Sequence, residues 1–180
     1  AITVKVVGIN YRAPQNDNKN IFQNLKPAFE LGYGYNINRH ISMDIPFRFG
    51  VVDFPVYDEI SKKVSRYDDG KLYTGLDALI HFHWWSNHLI SPFLYAGIGS
   101  VLQDGTDFYA QSPLGLGFNI KLGAQSSLSL QSDYRLAFKN GYNNWQHAVG
   151  FRMGLGNTVQ DHDKDGFPDT MDSCPDLFGT

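Results

Sequence analysis

Residues 41 to 52 read ISMDIPFRFGVV, and this stretch decides the fold class. Every second side chain from Ile41 to Val51 is apolar, whereas the positions between them hold serine, aspartate, proline, arginine and glycine. Successive side chains of a β-strand point to opposite faces, so one face of this strand is apolar and the other is small and charged. A transmembrane β-barrel accounts for both faces, because lipid covers the apolar face and a narrow lumen holds the polar one.

The same alternation recurs along the chain and predicts an all-β protein, an eight-stranded antiparallel up-and-down transmembrane barrel. The predicted strands are residues 2–12, 27–37, 41–52, 71–84, 92–102, 113–122, 127–138 and 145–155. Pro27, Pro92 and Pro113 lie at predicted strand starts, where a missing N–H is tolerated. Pro46 lies inside a strand and predicts a bulge or a gap in the ladder. In the fifth strand the sequence does not separate an inward from an outward face.

The predicted connections alternate in length. The links after strands two, four and six are short, whereas residues 13–26, 53–70 and 103–111 are interpreted as long loops. Outer-membrane barrels have tight periplasmic turns and longer extracellular loops, and an even strand number returns both termini to the periplasm. Trp84 and Trp85 then suit the periplasmic aromatic girdle, and Trp145 suits the outer one.

Composition narrows the classes of function. The chain has 180 residues and a formal net charge of −3, and no basic stripe indicates a nucleic-acid partner. The sequence contains no run of about 18 apolar residues. It therefore predicts neither a transmembrane helix nor a retained signal peptide. The single cysteine, Cys174, excludes an internal disulfide framework.

Charged side chains on the inward faces predict a closed lumen. An eight-stranded barrel is only wide enough for side chains to fill it, so these acids and bases must meet and pair. The sequence therefore predicts a plug rather than a pore. The predicted lumen charge network consists of Glu30, Asp44, Arg48, Asp77, Asp133, Arg135 and Arg152.

Two histidine patterns raise the question of metal binding or catalysis. His81 and His83 form an H-x-H pair on one strand face, but no third ligand is evident, so the pattern favours rim or lumen histidines. His147 and nearby serines could serve a lipid-modifying site, yet no G-x-S-x-G-like context singles out a nucleophile. We therefore expect no enzyme activity.

The most specific motif follows the last predicted strand. Residues 161–172 read DHDKDGFPDTMD, in which acids at alternate positions precede Gly166, a residue that permits a sharp turn. Hard oxygen ligands at these spacings are typical of a Ca²⁺ loop, although no flanking helices are evident. The alternative is an acidic solvated linker. The candidate ligands are Asp161, Asp163, Asp165, the carbonyl of Phe167, Asp169 and Asp172.

Residues 161–175 resemble a thrombospondin type 3 repeat, D-x-D-x-D-G-x-x-D-x-x-D-x-C-P. An eight-stranded barrel followed by such a repeat is similar to the OmpA/OprF family of outer-membrane proteins. The resemblance implies a barrel domain at residues 1–156, a periplasmic calcium-binding linker at 157–180 and a peptidoglycan-binding domain after it. Because the chain ends at Thr180 just after a repeat, we expect these residues to be part of a longer protein. The resemblance also implies that Cys174 pairs with a cysteine of a later repeat.

These features together predict a non-enzymatic anchor that lies in outer-membrane lipid and tethers the membrane to the cell wall. An alternative is an accessory subunit whose outer wall or loops contact other outer-membrane proteins. A third possibility is a soluble calycin-like barrel, which would place apolar residues inside and polar residues outside.

Overall fold

The structure, a computed structural model, describes residues 1–15, 20–58, 64–85, 88–138 and 141–155. Eight antiparallel strands form a closed barrel in which each strand pairs with the next and the last pairs with the first. This confirms the predicted fold class. The strands are β1 (Ile2–Asn10), β2 (Lys26–Asn36), β3 (Ile41–Tyr57), β4 (Val64–His83), β5 (Ile90–Gln103), β6 (Asp107–Lys121), β7 (Ser126–Ala137) and β8 (Asn144–Met153).

Between β1 and β2 lies a single 3₁₀ turn, Ala13–Gln15. Among the residues that the structure describes, no helix is long and apolar enough to cross a membrane.

The outer wall is apolar because the strands alternate as the sequence predicts. In β2, Phe29, Leu31 and Tyr33 are each 55% exposed, whereas Glu30 between them is 1% exposed. The same outward row of large apolar side chains continues on β3, with Phe47 at 41% and Val51 at 51%. A soluble calycin-like barrel would have the opposite arrangement, so that alternative is wrong.

The connections differ from the predicted long loops. Residues 53–70, interpreted as a loop, lie largely in the paired extensions of β3 and β4, whose register shifts between Val52 and Phe54 and between Val56 and Tyr57. In the β3 extension residues 52–55 are all buried, and in the β4 extension the adjacent residues Ser65 and Arg66 are both exposed, so neither sequence shows the alternation that reveals a strand. Residues 103–111 are also not a long loop, because a tight turn at 104–106 joins β5 to β6.

Two ends of the barrel can now be distinguished. We call the end with residues 11–15, 20–25, 58, 104–106, 138 and 141–143 the loop end, and the end with residues 37–40, 84–85, 88–89 and 122–125 the turn end. At the loop end, Gly105 has a φ of 75°, a left-handed conformation that favours glycine. Lys71 donates a hydrogen bond of 2.8 Å to Asp104 in the same turn and lowers the pKa of that carboxyl group.

Pro113 and Pro46 lie well inside strands and interrupt a ladder. Pro113 was predicted at a strand start, but β6 begins at Asp107, so that prediction is wrong. The ladder to β5 is interrupted at Pro113 without a change of register, and the Ser112 hydroxyl donates a 3.0 Å hydrogen bond to the Gly97 carbonyl instead. At Pro46 the ladder to β4 is interrupted in the same way, which is the predicted gap rather than a bulge.

The lumen is divided along its length, as the inward side chains of β4 show. From the loop end to the turn end they are Tyr73, Asp77, Leu79, His81 and His83. The half towards the loop end holds a large apolar and aromatic cluster beside buried amides such as Gln111 and Gln146. The alternation did not predict this cluster, because the inward face was expected to be small and polar. The buried residues that pack together in that half are Val7, Ile9, Tyr11, Ala28, Val52, Phe54, Tyr73, Val101, Tyr109 and Ala148.

The faces of β5 are resolved by burial. Phe93 and Tyr95 are each 2% exposed and point into the lumen, whereas Leu94 and Ile98 point outward at 43% and 69% exposure. Large apolar residues therefore occupy both faces of this strand. This explains why its sequence pattern gave no orientation.

Candidate functional site

A charged belt crosses the middle of the lumen. We define the charged belt as Lys5, Glu30, Arg48, Asp77, Arg135 and Asp133. The strand register places its first members side by side, because Lys5 lies opposite Glu30 and Glu30 lies opposite Arg48. Inward positions of neighbouring strands at the same height therefore bring residues that are distant in sequence into contact.

One half of the charged belt joins the first four strands. The Lys5 ammonium lies 2.8 Å from Glu30 Oε1 and also donates a 2.8 Å hydrogen bond to Gln131 Oε1. The second oxygen of Glu30 lies 2.6 Å from Arg48 Nη2. Arg48 also pairs with Asp77 on β4. The guanidinium of Arg48 thus bridges two carboxylates that cannot reach each other.

The other half of the charged belt joins β4 to β7 and β5. Arg135 Nη2 lies 2.8 Å from Asp77 Oδ2, and its Nε donates a 2.8 Å hydrogen bond to Asp133 Oδ1. The Tyr95 hydroxyl donates a 2.6 Å hydrogen bond to the other oxygen of Asp133. The chain of contacts from Lys5 to Tyr95 therefore spans the barrel.

The charged belt is electrically balanced, since three bases alternate with three acids. Arg48 and Asp133 are each 1% exposed and Arg135 is fully buried. Burying a charge without a partner is costly, and alternating charges with several hydrogen bonds offset that cost. The paired charges of the charged belt therefore occupy the middle of the lumen.

Asp44 and Arg152 form a separate pair nearer the turn end. Arg152 Nη1 donates a 2.7 Å hydrogen bond to Asp44 Oδ2, and His81 Nε2 lies 3.5 Å from the same oxygen. The structure thus brings the predicted lumen residues into two groups, one at the charged belt and one here.

The loop end of the lumen is covered by an aromatic cap. The hydroxyl groups of Tyr11 and Tyr109 form a 2.9 Å hydrogen bond, and the Tyr11 ring lies 4.9 Å from that of Phe54. Tyr142 contacts this group, with its ring centroid 6.2 Å from that of Tyr109. The lumen is therefore filled both at the charged belt and above it.

The two histidines of the H-x-H pattern lie where the turn-end half of the lumen begins. His81 is 3% exposed and stacks on Tyr95, while His83 is half-buried and its Nε2 lies 3.0 Å from the Ser42 hydroxyl. Within the described residues, no group of three or more His, Cys, Asp or Glu side chains could hold a metal ion. The candidate calcium ligands, residues 161 to 172, lie outside the described part of the chain.

At the turn end the lumen opens into a polar cavity of about 420 Å³. Its lining includes the N-terminal residue Ala1 together with Arg39, Lys121 and Arg152. The α-amino group of Ala1 is fixed there by a 2.7 Å hydrogen bond to the Gly34 carbonyl. Basic groups therefore line the cavity, and the charged belt separates it from the loop end.

Solved outer-membrane proteins share this architecture. Neisserial surface protein A has a TM-score of 0.58 and 12% identity, over 84% of this chain and 94% of that one. The N-terminal barrel domain of OprF from Pseudomonas aeruginosa has a TM-score of 0.50 and 14% identity, over 83% and 95%. The fold is that of the small outer-membrane barrels.

A third structure of this architecture is Ail, the attachment invasion locus protein of Yersinia pestis. Its TM-score is 0.50 and its identity 11%, over 84% of this chain and 93% of that one. No protein-family model matches the chain, and no curated protein does. The shared fold supports an outer-membrane location with lipid around the apolar wall.

Two lumen residues, Lys5 and Tyr95, were missed by sequence reasoning. Lys5 lies between Val4 and Val6, which are 56% and 48% exposed, so an inward base flanked by outward valines was a readable signal. Tyr95 gave no comparable signal, because an aromatic residue occurs on either face of a strand. Its contact with Asp133 depends on the register between β5, β6 and β7. The alternation of the seventh strand predicts Gln131 to be inward, as it is, but not its contact with Lys5.

Proposed function

We propose that this protein anchors the cell envelope, with the barrel held in outer-membrane lipid and the chain after residue 155 reaching towards the cell wall. The observation that carries this proposal is a barrel with an apolar wall and a filled lumen. Such a barrel is stable in lipid and has no open path for solutes. Anchoring is a role that requires neither transport nor chemistry from the barrel itself.

The turn end is proposed to face the periplasm. Both described ends of the chain, Ala1 and Leu155, lie at the turn end, which is the side of short connections in outer-membrane barrels. Residues 156–180 would then begin in the periplasm. The resemblance of residues 161–175 to a thrombospondin type 3 repeat, and through it to the OmpA/OprF family, supports a linker towards peptidoglycan.

The anchoring role is tested by cell-wall association. We expect the protein from native outer membranes to have an intact mass larger than 20.3 kDa, the mass of these 180 residues, and to sediment with peptidoglycan after detergent extraction. A variant that ends after residue 156 should be released into the detergent fraction. If the native protein is released from peptidoglycan to the same extent as this variant, the proposal of a tether is wrong. A native mass equal to that of these residues would instead favour the accessory-subunit alternative.

The linker is proposed to bind Ca²⁺ through Asp161, Asp163, Asp165, the Phe167 carbonyl, Asp169 and Asp172. Carboxylates close together repel one another until a cation neutralises them, so the ion should make the segment stiffer. We expect proteolysis between Val159 and Asp176 to be slower in Ca²⁺ than in chelator. The variant Asp163→Asn with Asp165→Asn should be cleaved at the same rate in both conditions. Equal rates for the native sequence would contradict the calcium site.

A further inference from the structure

A polar pair lies on the outer wall of the barrel, among side chains that otherwise face lipid. Ser132 on β7 and His147 on β8 are directly opposite each other in the register, and Ser132 Oγ lies 2.9 Å from His147 Nδ1. Leu130 and Val149, the next outward residues on these strands, are 38% and 46% exposed. The pair is therefore reached from the membrane and not from the lumen.

The second imidazole nitrogen of His147, Nε2, also has a hydrogen-bond partner. His147 Nε2 lies 3.1 Å from the carbonyl oxygen of Ile21, in the connection between β1 and β2. A carbonyl oxygen accepts but cannot donate, so Nε2 carries the proton and Nδ1 offers its lone pair to the Ser132 hydroxyl. Phe22 stacks on the imidazole with centroids 4.5 Å apart. A nucleophile, a base and a group that orients the base are thus in place.

An apolar groove runs beside this pair. It has a volume of about 560 Å³ and is bordered by the β1–β2 connection on one side and the strand wall on the other. A groove of this kind suits a hydrocarbon chain. Its apolar lining includes Val6, Phe22, Leu25, Leu116, Phe118 and Leu130.

Ser132 and His147 lie at about the depth in the membrane where the ester groups of lipids are found. Tyr134 and Trp145, one outward step nearer the loop end, contact each other with ring centroids 5.0 Å apart. Aromatic side chains on the outer wall mark the membrane–water interface, where lipid esters lie and water is available. An acyl chain in the groove would place its ester group near Ser132.

We propose that Ser132 and His147 form an acyl-hydrolase site on the outer wall, which cleaves an acyl ester of a membrane lipid. Ser132 Oγ attacks the ester carbonyl carbon while its proton passes to His147 Nδ1. The alcohol leaves with that proton, and an acyl-serine remains. Water then attacks the acyl-serine, gives one proton to His147 and releases the fatty acid, after which that proton returns to Ser132. The net reaction converts ester and water into acid and alcohol.

The site goes beyond the proposed anchoring role and replaces the sequence-based expectation that the protein has no enzyme activity. The sequence contained both residues but no pattern that joined them. The structure joins them through the strand register and adds Ile21 from a connection far away in the chain.

A fluorophosphonate probe tests the nucleophile in the folded protein, in detergent micelles with phospholipid. We expect covalent labelling at Ser132, located by peptide mass, and loss of labelling in Ser132→Ala. His147→Gln keeps a hydrogen-bond acceptor but not a base, and should slow labelling by about 100-fold or more. The matched control is Ser100→Ala, since Ser100 is also outward and its hydroxyl donates to the Leu76 carbonyl, with no histidine beside it.

A further readout separates catalysis from a structural hydrogen bond. Hydrolysis of a p-nitrophenyl ester with a long acyl chain should fall in Leu130→Trp, which fills the groove, while probe labelling persists. The shift of the folded band in unheated gel samples verifies that each variant folds. Absent labelling of the folded native protein, or labelling that survives in Ser132→Ala, overturns the proposal, whatever the outcome of the peptidoglycan experiment.

Discussion

Replacing Arg48 by methionine is expected to lower the free energy of unfolding by about 3 to 5 kcal/mol, the range for breaking a buried ion pair by removing one partner. Arg48 touches both Glu30 and Asp77, and its side chain is 1% exposed. Methionine has a similar length and is apolar, so the change removes the charge and leaves little cavity. The buried carboxylates of Glu30 and Asp77 would then each lose one cationic partner.

The measurement is equilibrium unfolding in urea, with the barrel folded into phospholipid vesicles and followed by tryptophan fluorescence. Arg39→Met is the matched control, because Arg39 is an exposed residue in the β2–β3 turn. A surface substitution of this kind changes stability by about 0.5 kcal/mol at most. Equal stability of the two variants would show that the charged belt does not hold the lumen together.

A double variant separates loss of the charge from loss of packing. When Asp77→Asn accompanies Arg48→Met, one base and one acid are removed together, and the remaining charges pair as Lys5 with Glu30 and Arg135 with Asp133. Replacing a whole buried ion pair with neutral groups is often tolerated. We therefore expect the double variant to be more stable than Arg48→Met alone.

The strand count and the lipid-facing wall were predictable from the sequence, because alternation along a strand is a local property. Phe47 and Arg48 are adjacent in sequence, and a strand must send them to opposite faces. The closure of the barrel follows from the same pattern, since every strand has an apolar face that needs lipid and no strand edge can stay unpaired in a membrane.

The strand ends and the composition of the lumen were less predictable. The β4 extension, residues 64–70, has no buried face, so its sequence, which includes Arg66 and Asp68, resembles that of a loop. The lumen admits any side chain that fills space, which is why Val7 and Phe54 lie inside it. Side chains of the outer face must be apolar because they contact lipid, whereas side chains of the narrow lumen are constrained mainly in their total volume.

Contacts across the barrel could not be predicted, because they depend on register. Lys5 and Gln131 are brought together by β1, β8 and β7, and a shift of one residue would separate them. The pair of Ser132 and His147 depends on the register of β7 and β8 in the same way. Sequence reasoning can supply the candidate side chains at inward and outward positions but not their partners.

Replacing Phe47 by arginine is expected to lower the free energy of unfolding in lipid by about 2 to 4 kcal/mol. Phe47 is an outward residue, 41% exposed, at the middle of the apolar row that runs from Ile41 to Val51. About 9 to 11 residues of a tilted strand cross the hydrocarbon core, so this position lies near the bilayer midplane. The guanidinium of an arginine there would be transferred from water into hydrocarbon, and the neighbouring apolar side chains of the outer wall offer it no ion pair or hydrogen bond.

Phe108→Arg is the matched control for the lipid-facing wall. Phe108 is also outward, at 69% exposure, but it lies beside the turn that joins β5 to β6, beyond the apolar rows. Near the interface the same charge costs about 0 to 1 kcal/mol. The difference between the two variants, measured by urea unfolding in phospholipid vesicles, reports the depth of each position in the hydrocarbon. If both variants lose the same stability, the outer wall does not lie in lipid along these rows, and the anchor would need a protein partner in place of the bilayer.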